Sequence, residues 1–196
     1  MEKIRSILQA SIQTKQLILQ DEKLLDQVNR SAQCITQAFQ QKKRLYLCGN
    51  GGSAADAQHL AAEFSGRFYT DRKALPAEAL HVNSSYLTAV ANDYGYDLVY
   101  ARLVEGITES GDVLIGLSTS GNSPNVVKAF ESARTLGVIT IGFTGEAGGK
   151  MKALSDYWIG IPSNDTPRIQ EAHITLGHIL CQLVEESFFQ LNAPNS

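Results

Sequence analysis

His59 and Glu63 lie four residues apart in the run SAADAQHLAAEF. On a helix that spacing puts both on one face, and the surrounding alanines leave them, with Gln58, as the bulky polar groups there. An imidazole beside a carboxylate can move protons or hold a metal ion. A second such stretch, RIQEAHITLGHIL, carries Arg168, Gln170, Glu171, His173 and His178 in an otherwise apolar setting. Gln170, Ile174 and His178 fall at i, i+4 and i+8 and so share a row. His173 points away from His178 and reads as a structural histidine. Interconversion of an aldose and a ketose needs a base for a carbon-bound proton, a second acid–base group, and a way to polarise the carbonyl. Glu63 and His178 are the right types for the first two roles. A metal held by His59 and helpers would serve the third.

Two loops are suited to a sugar phosphate. In CGNGGSAADAQHLAAEFSGR, residues 48–67, Gly49, Gly51 and Gly52 permit tight turning and close approach of a ligand to the backbone. Ser53 then opens a helix, turning its hydroxyl and the free N–H groups toward the loop. Gly49, Gly51 and Ala54 fit a loose dinucleotide fingerprint, but the next strand ends in His81-Val82-Asn83, without the acid that would hold a ribose. No Gly-Lys-Ser/Thr follows, so a P-loop is excluded. The second loop, Ser118-Thr119-Ser120-Gly121-Asn122-Ser123, gathers four hydroxyls around one glycine. Ser123 stands at an N-cap with Pro124 at the first helical position. A helix start of this kind binds phosphate, and the lack of Lys or Arg suits a monophosphate held by neutral donors.

The elements that must position these groups follow from apolar patterning. RLYLCG, ALPAEALHV, GDVLIGLS, VITIGFTG and DYWIGIP are short apolar runs, each followed by a helical stretch. The alternation predicts an α/β fold, a five-stranded parallel doubly wound sheet with flavodoxin-like winding, in which ligands bind beyond the carboxyl ends of the strands. Residues 1–42 read as a pair of helices broken near Asp21. Ile4, Leu8 and Ile12 line one face of the first, and Leu25, Val28, Ala32, Ile35 and Phe39 form a stripe on the second. Preceding the first strand, they cannot be crossover helices. They are expected to cover a sheet face and to pair with another subunit, as part of one domain with residues 43–196.

The bulk properties set outer limits. With 196 residues, 43% hydrophobic and 19% charged, the chain can bury a substantial core. A net charge of -3 gives no footprint for nucleic acid or an anionic membrane. The basic run Lys42-Lys43-Arg44 reads as a solvated helix end. MEKIRSILQASIQ lacks the apolar core and cleavage site of a signal peptide, and no apolar run approaches the ~20 residues of a membrane span. Three scattered cysteines, Cys34, Cys48 and Cys181, fit reduced thiols in a cytoplasmic protein.

Taken together, CGNGGSAADAQHLAAEFSGR, Ala91-Asn92-Asp93, STSGNS and RIQEAHITLGHI resemble the signature blocks of the phosphoheptose isomerases, a family of the sugar isomerase (SIS) fold. The resemblance runs collinearly from roughly residue 1 to 188. It implies a homotetramer converting D-sedoheptulose 7-phosphate to D-glycero-D-manno-heptose 7-phosphate, the first step toward activated heptose for lipopolysaccharide or other surface glycans. It further implies that Asn50, Gly51, Gly52 and Ser53 contact the sugar and that Ser118, Thr119, Ser120 and Ser123 hold the phosphate. Asn92 and Asp93 would line the site, with Arg67 nearby. Glu63 and His178 would form the proton-transfer pair, with Glu63 and Gln170 also touching substrate. His59, Glu63, Gln170 and His178 would be the positions of one zinc per subunit. Gln170 and His178 stand about 12 Å apart along a regular helix axis, so an ion shared by both requires an irregular helix start or ligands from different subunits. Pro167 stands where many members of the family carry Asp or Ala.

The same fold also serves a non-catalytic partner of the replication initiator DnaA, in which the positions of Glu63 and His178 cannot do acid–base work. Here both groups are present. Sugar-phosphate-sensing regulators share the fold too, but the N-terminal helices here lack a basic recognition helix.

Overall fold

The computed structural model describes residues 1–190; residues 191–196, which the sequence reading placed in the second segment, lie outside the described part. Five short strands form one parallel sheet: β1 Leu45–Gly49, β2 Ala77–Ala79, β3 Val113–Leu117, β4 Ile139–Gly145 and β5 Tyr157–Ile161. Their order is β2-β1-β3-β4-β5, the doubly wound arrangement expected. In register, Leu47 pairs with Ile115, Ile115 with Ile141 and Phe143 with Ile159. Alternate side chains therefore feed two cores. Leu45, Leu47, Val113, Ile115, Ile141, Phe143 and Ile159 pack on one face. Tyr46, Cys48 and Leu114 pack on the other.

The first face is covered by α2 (Glu22–Gln40), α3 (Gly52–Ser65) and α8 (Thr166–Phe188). The second carries α4 (Ser84–Tyr94), α5 (Val99–Ile107), α6 (Pro124–Thr135) and the short α7 (Gly149–Leu154). Asp21 breaks the N-terminal pair by capping α2, accepting hydrogen bonds from the Lys23 and Leu24 backbone N–H groups. The α2 stripe buries Val28, Ala32, Ile35 and Phe39 as expected. It is Leu24 rather than Leu25 that completes it, Leu25 being only partly buried. In α1 (Glu2–Gln20) the apolar face forms but stays open, with Ile4 57%, Leu8 58% and Ile12 48% exposed in the single chain.

The sequence reading passed from α4 directly to β3 and missed α5. Gly95, at φ 89°, ends α4 and makes the following Tyr96-Asp97-Leu98 read as loop. Those residues form one 3-10 turn that leads into α5, where Val99, Tyr100, Ala101 and Val104 are buried. No helix among the described residues is long and apolar enough to cross a membrane.

Candidate active site

β1 and β3 are neighbours, yet the helices that follow them, α3 and α6, lie on opposite faces. The chain thus divides at the carboxyl ends of these two strands, where a doubly wound sheet leaves its binding crevice. The glycine loop and the hydroxyl loop both sit there.

The glycine loop turns at Gly51, which takes φ 55° and serves as the N-cap of α3. The helix therefore begins at Gly52, one residue earlier than expected, and Ser53 is buried in its first turn. Further along α3, His59 Nε2 lies 3.4 Å from Glu63 Oε1. From α8, His178 Nε2 approaches His59 Nε2 to 2.9 Å. One ligand atom each from His59, Glu63 and His178 lies within 4.8 Å of the others. The close approach has a visible cause: a Cβ at Gly177 would meet Leu60 Cδ1 at 2.6 Å. The glycine beside His178 thus admits the leucine beside His59.

Ligands on a tetrahedral zinc ion at 2.0–2.1 Å stand about 3.3 Å apart. The His–His and His–Glu separations of 2.9 and 3.4 Å bracket that figure, and two imidazoles with one carboxylate are ordinary zinc ligands. His59 is exposed, so the cluster is open to a further ligand. Gln170 is placed elsewhere. A Cβ at Gly52 would meet its Nε2 at 2.9 Å, so the amide rests on the glycine loop. α8 is continuous from Thr166, which removes the irregular helix start as a way of bringing Gln170 and His178 to one ion.

The hydroxyl loop contains an arrangement the sequence did not reveal. Ser123 stands at the N-cap of α6 with Pro124 at the first position, but its side chain makes no cap bond. Its Oγ lies 2.8 Å from Ser118 Oγ instead. Ser120 Oγ accepts from the Asn122 N–H, and the Thr119 carbonyl from the Gly145 N–H. The two loops are joined by a reciprocal amide pair. Asn50 Nδ2 donates to Asn125 Oδ1 at 2.9 Å, and Asn125 Nδ2 donates to Asn50 Oδ1 at 2.8 Å. Tyr96 Oη also donates to Asn50 Oδ1, and Tyr100 Oη to the Gly49 carbonyl. Sequence reasoning missed Asn125, which is buried directly after Pro124, and the two tyrosines of the unrecognised turn and helix.

Arg67, Asn92 and Asp93 are exposed, and no hydrogen bond or ion pair joins them to the cluster among the described residues. Asn92 Nδ2 donates to Asp93 Oδ1 at 2.9 Å. Asp56, unremarked in the sequence although three residues before His59, lies near enough to His59 and His178 to feel their charge. Burial raises its carboxyl above the ordinary range, and the two histidines pull the other way. His173 is fully buried beneath β4 and meets the Thr144 carbonyl through Nε2 at 3.2 Å, as a structural histidine would. Burial lowers it to about 4, so it is neutral near pH 7.

The SIS domain family matches residues 10–145. A phosphoheptose isomerase from Clostridium acetobutylicum is 50% identical over 95% of this chain and 95% of its own length. One from Nitratiruptor is 59% identical over 79% of this chain and 82% of its own. This chain belongs to the phosphoheptose isomerase family. The structure of the phosphoheptose isomerase from Neisseria gonorrhoeae superposes with a TM-score of 0.89 at 39% identity, covering 94% of this chain and 98% of that one. The resemblance carried by the motif blocks and the likeness of the whole fold agree.

Proposed function

We propose that the protein interconverts D-sedoheptulose 7-phosphate and D-glycero-D-manno-heptose 7-phosphate, the entry to activated heptose synthesis. The observation that carries the mechanism is the meeting of Glu63 and His178 from two helices, 2.9–3.4 Å from the shared neighbour His59. Ser118, Thr119, Ser120 and Ser123, with the start of α6, hold the phosphate through neutral donors. Asn50, Gly51, Gly52, Ser53 and Gln170 face the sugar chain, with Arg67, Asn92 and Asp93 at its rim.

Glu63 Oε1 faces His59, which leaves Oε2 for the substrate. That oxygen takes the proton from C1 of the ketose, giving an enediol(ate), and returns a proton at C2. His178 moves the proton between the two oxygens. His59, Glu63 and His178 would hold one zinc per subunit, which supplies Lewis-acid polarisation of the carbonyl when bound; a group held on the ion is not a free base, so Glu63 and His178 serve one of the two roles at a time. For Gln170 to be a zinc ligand as well it must come from another copy of the chain, because two turns of regular helix separate it from His178. The open apolar face of α1 supports a homotetramer in which a second copy covers Ile4, Leu8 and Ile12. The N-terminal helices belong to the same domain as the sheet, since α2 packs in the core of its first face. A cytoplasmic site of action agrees with Cys34, Cys48 and Cys181 being free and buried.

The test is a coupled assay of purified protein with sedoheptulose 7-phosphate, with added zinc and with chelator. Conversion that rises with zinc and disappears in Glu63→Gln supports the assignment. A folded protein that binds the sugar phosphate yet converts none under any metal condition would overturn it in favour of a sensor or binding partner.

A further inference from the structure

Seven residues beyond His178, on the same face of α8, Glu185 is 2% exposed in the apolar core. Its carboxylate accepts hydrogen bonds from the backbone N–H groups of Phe68, Tyr69 and Thr70 at 3.3, 3.0 and 3.0 Å. It also pairs with Arg72 Nε at 2.7 Å. The rest of the Arg72 guanidinium turns to the end of α3. Nη2 donates to the Glu63 carbonyl at 2.8 Å, and Nη1 to those of Phe64 at 2.7 Å and Gly66 at 3.2 Å. These are carbonyls that a helix end leaves without intrahelical partners. The Phe189 ring lies over the guanidinium at 5.6 Å. The loop so gripped carries Arg67 at its start and brings the Phe68 ring to 5.7 Å from that of His178.

An ion pair this deep is weak evidence for stability, since hydrophobic replacements often do as well. Its placement is more informative. The cluster is divided between α3, with His59 and Glu63, and α8, with His178. The Glu185–Arg72 pair is a polar link that ties the last turn of α3 to α8: Nε meets Glu185, while Nη1 and Nη2 donate to the Glu63, Phe64 and Gly66 carbonyls and, at 3.2 Å, to that of Lys73. We infer that Glu185 and Arg72 are positioning residues for this site, fixing the backbone at Glu63 and the distance from α3 to His178. They touch neither substrate nor metal. The inference rests on the reading of Glu63 and His178 as the proton-transfer pair.

Groups that orient ligands from behind commonly contribute 10–100-fold to metal affinity or activity. Glu185→Gln is therefore expected to lower kcat about 10–100-fold with KM within about threefold, and to weaken zinc binding about tenfold in calorimetric titration. Glu185→Asp, which keeps the charge on a shorter arm, should fall between wild type and Glu185→Gln in both. If Glu185→Gln does not fold, Arg72→Lys is measured in the same way: it keeps a cation beside Glu185 but loses the fork that spans the carbonyls. Val104→Ala, a core truncation on the opposite sheet face, supplies destabilisation without repositioning and should leave kcat unchanged. A folded Glu185→Gln or Arg72→Lys with wild-type kcat and zinc affinity, beside an inactive Glu63→Gln, overturns the positioning role alone. Turnover retained in Glu63→Gln overturns the underlying reading instead.

Discussion

The two halves of the proposed site are built on opposite plans. The hydroxyl loop is six consecutive residues of neutral donors, set by a strand end, a glycine and a proline-started helix. The His–Glu–His cluster joins side chains 119 positions apart in the chain, and its geometry depends on how closely α3 lies against α8. A contiguous loop presents its donors once its own backbone is formed. A divided cluster needs correct tertiary packing before any of its groups meet. Binding of phosphate should therefore tolerate disturbance of helix packing better than proton transfer does.

The largest separation of the two comes from Glu63→Gln. Removing the proposed carboxylate base should take away a contribution of the order of 10²–10⁴ in rate. We expect kcat to fall about a thousandfold, while KM and competitive inhibition by inorganic phosphate change by less than about threefold. Steady-state kinetics with sedoheptulose 7-phosphate check both. Loss of phosphate affinity to the same degree as kcat would show that the halves are not separable.

A smaller effect tests whether the hydroxyl loop owes its rigidity to the backbone beneath it. His173 Nε2 meets the Thr144 carbonyl, and the next residue, Gly145, donates its N–H to the Thr119 carbonyl. The buried imidazole is lowered from 6.5 to about 4, so between these values the unfolded chain binds the proton and the folded chain does not. Stability is full above pH 6.5 and is lost progressively as pH falls toward 4, by roughly 3 kcal/mol in all. His173→Gln keeps a donor and does not titrate, so urea melts across this range should lose most of that slope. Glu185 acts from the lower edge of this window downward. Burial alone would raise its carboxyl, but Arg72 and three backbone N–H groups hold it below its usual 4.5. Its contribution is lost only as pH falls below that value. A slope unchanged in His173→Gln would place the titrating group elsewhere.

The same contrast decides what was legible in the sequence. Buried parallel strands are continuous apolar runs, so β1, β3, β4 and β5 and their winding could be read directly. β2 keeps only Ala77–Ala79 of its run, because Glu78 faces solvent and the chain turns at Leu80–His81. STSGNSP could be singled out because its hydroxyls are consecutive in the chain. His59 and Glu63 were visible as an i, i+4 pair, but their meeting with His178 depends on Leu60 seating over Gly177, and no spacing rule encodes that contact. Asn125 was hidden because one asparagine after a proline looks like helix-start punctuation. Glu185 carried a faint signal, an acid two turns beyond His178 in an apolar helix. Nothing local to α8 says that its partners lie in residues 68–72. α5 was lost because Gly95 and its polar neighbours resemble a loop, although Val99, Tyr100, Leu103 and Val104 hold a helical row.

The smallest effect falls within the hydroxyl loop, at Ser123. Replacing an N-cap serine with alanine ordinarily costs about 1 kcal/mol, because a backbone N–H loses its acceptor. Here the Ser123 hydroxyl makes no cap bond and instead meets Ser118 Oγ at 2.8 Å. Ser123→Ala should therefore change stability by less than half of that usual cost in urea melts. A hydrogen bond to a charged group contributes roughly 1.5–3 kcal/mol, so KM should rise about tenfold with kcat held within twofold. Ser118→Ala should do the same. Because the two hydroxyls share one hydrogen bond, the double variant should weaken binding by less than the two single effects combined. Full stability cost without a change in KM would make Ser123 an ordinary cap. Equal losses in kcat and KM would mean that the phosphate grip and the acid–base cluster act as one unit.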